Sequence, residues 1–157
     1  MKTVHRGIAV AVLQCLIVLS VAAKYATDRV RLPRVWVKTV PYDPNLPIRG
    51  RYLSMMLEVD APGANGYWTP ARLSVENGRL VASPTSVNTG VVVNGSGPNA
   101  RLAEPVAFFI SERAADPSRR PPGEELWVEV SVPKKGPPRP IRLGVKKDGA
   151  IAPLDLR

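Results

Sequence analysis

The chain contains one histidine and one cysteine, His5 and Cys15, and both lie within its first 23 residues. From Lys24 onward there is no imidazole and no thiol. That excludes a Ser-His-Asp triad, a Cys-His dyad and any ordinary zinc site from the rest of the molecule. With a single cysteine, an intrachain disulfide is impossible, so the fold does not depend on oxidation. A Ser–Lys dyad needs neither residue, and Ser54 with Lys134 or Lys135 is the pairing to consider. A base lysine must be desolvated to lose its proton near neutral pH, and these two lysines stand in a Pro/Gly stretch that offers no burial. The carboxylates Asp43, Glu58, Asp60, Glu76, Glu104, Glu112, Asp116, Glu124, Glu125, Glu129, Asp148 and Asp155 are scattered, and no spacing selects a pair for glycosidase-type work. Glu124, Glu125 and Glu129 read as solvated partners of Arg119 and Arg120, and Asp43 as a turn cap before Pro44. Asn94-Gly95-Ser96-Gly97 is followed by Pro98 and carries no Lys-Ser/Thr, so it reads as a loop and not a phosphate cradle. No catalytic residue, no cofactor and no metal ligand is expected.

The elements that would carry any site begin with an apolar run. Lys2 and Arg6 precede Gly7–Ala23, which only Gln14 and Ser20 interrupt. As a helix this run rises roughly 26 Å, close to the ~30 Å hydrocarbon core of a bilayer, and Arg6, Lys24 and Tyr25 can reach the interfaces. A cleaved secretory signal ending at Val21-Ala22-Ala23 fits the same residues, but the run exceeds the usual signal centre, so a signal anchor over 1–26 is favoured. Gln14 before Cys15 and the apolar sequence after it argue against a lipidated cysteine. Lys24, Arg29, Arg31, Arg34 and Lys38 follow the run against Asp28 alone. A strict positive-inside count would keep the domain in the cytoplasm, yet long domains translocate despite such charges. The periplasmic side of an inner membrane is the favoured placement.

After the anchor, 17 prolines and 12 glycines across the chain punctuate short apolar stretches, a pattern of strands and turns. Strands are expected at Arg34–Val40, Arg51–Asp60, Ala71–Glu76, Arg79–Ser83, Val91–Asn94, Val106–Ser111, Leu126–Val132, Ile141–Lys146 and Ala150–Leu156. The clearest is Arg51–Asp60, where Leu53, Met55, Leu57 and Val59 alternate with Tyr52, Ser54, Met56 and Glu58. Asn77-Gly78 and Asp148-Gly149 signal two-residue hairpins. Pro41–Gly50, Pro62–Gly66, Asn94–Asn99, Arg113–Glu125 and Pro133–Pro140 read as loops. The expected fold is all-β: a small antiparallel barrel or sandwich over 34–157, preceded by one N-terminal transmembrane helix.

Asp43-Pro44 followed by Arg49-Gly50-Arg51-Tyr52-Leu53-Ser54-Met55 resembles the bacterial family named for its GDYXXLXY motif. The family resembles this chain in layout too: a single membrane segment, a strand, an Asp-Pro loop, then the motif strand. Gly50 and Tyr52 agree with the motif; Arg51 replaces its aspartate, Met55 its leucine and Leu57 its last tyrosine. The resemblance implies a membrane-anchored protein without established activity, often linked to a polytopic membrane protein. Read from the residues alone, Gly50 frees the backbone before the strand and Tyr52 stands opposite Leu53 and Met55 with its hydroxyl near a polar partner. Ser54-Met55 after a membrane segment is also similar to the Ser-Met pair of type I signal peptidases, but no proline follows closely.

The net charge is +9; setting aside Lys2 and Arg6 leaves 20 basic groups against 13 acids, or +7, from Lys24 on. Such a domain attracts anionic lipid, an anionic polymer or an acidic partner. Its basic residues are dispersed and no aromatic-rich RNA-binding strand accompanies them, so nucleic acid is not an expected partner. Lys134-Lys135, Arg119-Arg120 and Lys146-Lys147 read as a solvated rim. The functional expectation is a non-enzymatic, membrane-anchored accessory or binding domain acting with a membrane-protein partner.

Overall fold

The computed structural model describes residues 2–41, 52–111 and 113–156. They form two compact units, Met1–Leu32 and Pro33–Arg157.

The first unit is one helix, α1, Lys2–Arg31. It extends past Tyr25 because Ala26–Arg31 contains no Gly or Pro, and Arg29 and Arg31 in its last turn suit the negative end of the helix dipole. Val4–Arg31 is long and apolar enough to cross a membrane. The large side chains Ile8, Leu13, Leu16, Ile17 and Leu19 are exposed. Two hydroxyls in or near the run are satisfied within the helix: Ser20 donates to the Ile17 carbonyl (2.7 Å) and Thr27 to that of Ala23 (2.8 Å). Polar groups that bond back to their own helix tolerate hydrocarbon.

The second unit is an antiparallel sheet of eight strands curled into a half-barrel, so the barrel-like form of the all-β expectation is the one adopted. Its strands are β1 Arg34–Pro41, β2 Tyr52–Glu76, β3 Arg79–Pro84, β4 Val92–Leu102, β5 Val106–Phe109, β6 Glu125–Ser131, β7 Arg139–Lys147 and β8 Ala150–Pro153. The main path runs β3-β2-β1-β6-β7-β8, with β4 and β5 also paired to β2. Period-2 alternation positions the core as expected. Met55, Leu57, Val59, Leu126, Val128, Val130 and Val132 are buried, together with Val35, Val37, Val93 and Leu143. Among the described residues the core cluster begins at Val35 and lies wholly in the second unit.

Both hairpin turns adopt the expected geometry. Asn77 and Gly78 have φ of 49° and 73°, Asp148 and Gly149 of 50° and 83°, the two positive angles that a type I′ turn requires. Other expectations are corrected. Pro62–Gly66 and Asn94–Asn99 are not free loops but lie within β2 and β4, where Ala61 pairs with Gly97 and Gly66 with Gly95 across successive bulges. Positive φ at Gly66, Gly95 and Gly97 lets the two segments stay laddered while they bend. The expected short strand at Val91–Asn94 is therefore one end of an 11-residue strand. At the C-terminus the strand stops at Pro153, and Leu154 and Leu156 pack against the core as irregular chain.

Candidate binding face

Four of the motif residues, Asp43, Pro44, Arg49 and Gly50, fall outside the described residues. The structure does not bring the other two together. Met55 is fully buried in the core, paired with Pro41 of β1 on one side and Val106 of β5 on the other. Tyr52 points the other way and packs on Phe109, ring centroids 6.2 Å apart at 55°. Its observed contact is thus aromatic, where sequence reasoning expects a polar partner for its hydroxyl. Ser54 is buried and pairs with Ala107, while Lys134 and Lys135 are exposed. Neither lysine is desolvated as a catalytic base requires.

The polar chemistry of the domain gathers instead on the side of β1, β6 and β7 that faces away from the core. Alternation sends Val35 and Val37 inward and Trp36 and Lys38 outward; on β6 it sends Glu125, Trp127 and Glu129 out; on β7, Arg142, Gly144 and Lys146. Antiparallel register then places Trp36 opposite Glu129, Lys38 opposite Trp127, and Trp127 opposite Gly144. Cations lie over both indoles, Arg142 at 5.4 Å from the Trp36 centroid and Lys146 at 4.7 Å from that of Trp127. Lys38 Nζ donates to Glu125 Oε1 (2.6 Å), Trp127 Nε1 to Glu125 Oε2 (3.1 Å), and Arg142 Nε to Glu129 Oε2 (2.6 Å).

These partners correct the assignment of the acids to Arg119 and Arg120. Only Glu124 meets Arg120, at 3.9 Å, and it also meets Lys147 at 3.5 Å; Arg119 pairs with Asp116. Glu129, on the face expected to be solvated, is 8 % exposed. Its cross-strand neighbours Trp36 and Arg142 flank it on both sides.

Trp36 reaches past Glu129 to lie over Gly144. A Cβ at that position would stand 2.7 Å from Trp36 Cζ3, 2.8 Å from Cη2 and 3.0 Å from the Ala152 carbonyl oxygen. Gly144 is therefore required by space. It supplies the shallow site in which the indole sits.

Beside this ladder is a groove of about 430 Å³, which includes Trp36, Lys38, Glu58, Asp60, Arg79, Trp127 and Lys146 in its lining. Acids and cations alternate around two half-buried indoles. Such a lining can recognise a polar or mixed-charge surface by hydrogen bonds and stacking, and it holds no hydroxyl or thiol nucleophile. Among the described residues no three His, Cys, Asp or Glu side chains are grouped to hold a metal. Sequence reasoning missed this face because each residue reads as an isolated outward polar; the available signal was Trp36 and Trp127 at outward positions on two strands.

The Lys38–Glu125 pair titrates abnormally. Its hydrogen bond to Glu125 raises the Lys38 ammonium above its ordinary 10.5, and the hydrogen bonds from Lys38 and then Trp127 hold Glu125 below its ordinary 4.5. About two-fifths of each side chain is exposed, so water screens the pair and its contribution to stability is small. That contribution is complete between the two ordinary values. It declines as pH falls from 4.5 through the lowered Glu125 pKa, and again as pH rises from 10.5 through the raised Lys38 pKa. Melting curves of Glu125→Gln are expected to fall slightly below the parent at neutral pH and to converge with it in acid. A gap that persists undiminished in acid would exclude the pair as its source.

Comparison with protein-family models, with curated proteins and with solved structures finds no match to this chain.

Proposed function

We propose that this chain is a non-enzymatic accessory protein, anchored in a bacterial inner membrane by α1, whose β domain docks a polytopic membrane-protein partner on the periplasmic side. One observation carries the reading: an uncharged run, Gly7–Ala23, inside a membrane-length helix is joined directly to a β domain that has its own described core from Val35 onward. A helix that is apolar all round has its natural solvent in lipid. The mixed-charge groove supports docking over hydrolysis, since Ser54 is buried in the sheet and its candidate lysines are exposed.

The anchor is tested by fractionation. The full chain is expected to stay with membranes through alkaline carbonate, and Ile17→Arg, a charge near mid-run that costs about 2.5–3.5 kcal/mol at a helix centre, is expected to weaken that retention. Full-length, unprocessed protein in the aqueous fraction would sink the reading. The partner is tested by crosslinking in cells and purification in mild detergent. Recovery of a polytopic protein, reduced by Lys146→Glu in the groove, is the expected result; the bare monomer under every condition would overturn it.

A further inference from the structure

We propose that Tyr67 and Trp68 form an interfacial anchor that seats the β2–β4 end of the domain on an anionic bilayer surface. The proposal rests on the membrane reading above, but not on its protein partner. Between the pairs Gly66–Gly95 and Thr69–Val93, β2 has two residues where β4 has one. Those two residues are Tyr67 and Trp68, held 85 % and 69 % exposed. Trp68 has φ of +47°, a left-handed backbone that is a genuine outlier for so bulky a residue, and its N–H is fixed by Asn94 Oδ1 at 2.9 Å. The chain thus spends backbone strain to hold a mostly exposed indole in solvent. Next to it, the Thr85 N–H bonds to the Pro70 carbonyl (2.9 Å), and Val87, two residues on, is 59 % exposed.

Charge identifies the occupant. Residues 61–75, the stretch of β2 that holds Tyr67 and Trp68, carry Arg72 and no carboxylate, and residues 33–157 as a whole carry 17 basic groups against 12 acids; Arg79 lies instead in the groove with Glu58 and Asp60, and Arg101 pairs in register with Glu58. Arg72 is exposed, and Glu76, the next charge along the strand, is engaged by the Ser74 hydroxyl at 2.7 Å. Adjacent Tyr and Trp with an apolar body and a polar tip suit the headgroup boundary of a bilayer, and Arg72 with the domain's excess of cations adds attraction to anionic lipid. An acidic protein surface would satisfy the charge but would not require two aromatics held out in solvent.

The test uses residues 33–157 added to phosphatidylcholine vesicles with and without phosphatidylglycerol, so that α1 plays no part. Wild-type binding is expected only with the anionic lipid, to fall with added salt, and to bring quenching of tryptophan fluorescence by brominated chains. Tyr67→Ser/Trp68→Gly is expected to bind roughly tenfold more weakly or worse. Its melting temperature should be unchanged or higher, because glycine relieves the left-handed backbone. Equal binding by this variant, or wild-type binding indifferent to phosphatidylglycerol, overturns the proposal. So does absence of vesicle binding when the full chain in detergent captures a membrane protein through Trp68, since the occupant is then protein. Failure of the anchor reading shows separately, as release of the full-length chain from membranes with the vesicle result intact.

Discussion

Met55→Ala is expected to cost the β domain about 2–5 kcal/mol, the range for emptying a fully buried methionine site. Met55 has no exposed surface and sits where β2 is laddered on both sides, to β1 through Pro41 and to β5 through Val106. A void there cannot collapse by moving one strand without breaking a ladder on the other side, which places the cost toward the upper part of that range. For a domain of this size the loss appears as a fall of roughly 10 °C in the melting temperature. Met55→Leu keeps the volume and is expected to cost less than about 1.5 kcal/mol. That contrast separates two roles for the motif strand. If Met55 is architectural, alanine destabilises and leucine does not. A Met55→Ala protein that unfolds within 1 kcal/mol of the parent by urea titration would show that the site is not a packed core position.

Gly144→Val is the second large effect. The first added carbon already meets the Trp36 ring at 2.7 Å and the Ala152 carbonyl at 3.0 Å, and valine's methyls add to that crowding. The ring has to leave its place, which also removes Arg142 from its face and uncovers the buried Glu129 carboxylate. Overpacking of this kind costs about 1–3 kcal/mol. The design that identifies the cause is a double-mutant cycle. Trp36→Ala removes one of the two obstructions, so Gly144→Val is expected to be milder in that background, with a coupling of about 0.5–3 kcal/mol. Strict additivity would place the clash on the Ala152 backbone alone and dismiss the indole seat as incidental.

What was legible in the sequence divides by range. Asn77-Gly78 and Asp148-Gly149 were readable because a type I′ turn makes its demand on two adjacent residues. The inward sets of β2 and β6 were readable because a period of two is carried by each strand alone. Pro62–Gly66 and Asn94–Asn99 were misread as loops because proline and glycine report local permissiveness, whereas the pairs Ala61–Gly97 and Gly66–Gly95 join segments about thirty residues apart. The binding face failed to show for the same reason. Trp36, Gly144 and Glu129 are unremarkable singly, and what unites them is a register between β1, β6 and β7 that no local pattern encodes. Glu129 in particular follows the outward phase correctly and is still buried, since outward on a sheet means solvated only where the neighbours are short.

The pairing of β1 carries a consequence for how the protein is made. Its first five residues, Arg34–Lys38, ladder among the described residues with 127–131 alone, and the Lys38–Glu125 ion pair spans 87 positions. During synthesis β1 therefore leaves the ribosome directly behind α1 and waits, with Val35 and Val37 uncovered, until nearly the whole remaining chain has emerged. Closing so long a span makes the last docking step intrinsically slow. In that interval the Arg34–Lys38 half of β1 lacks its β6 partner and leaves an open strand edge of the kind that other chains can pair with.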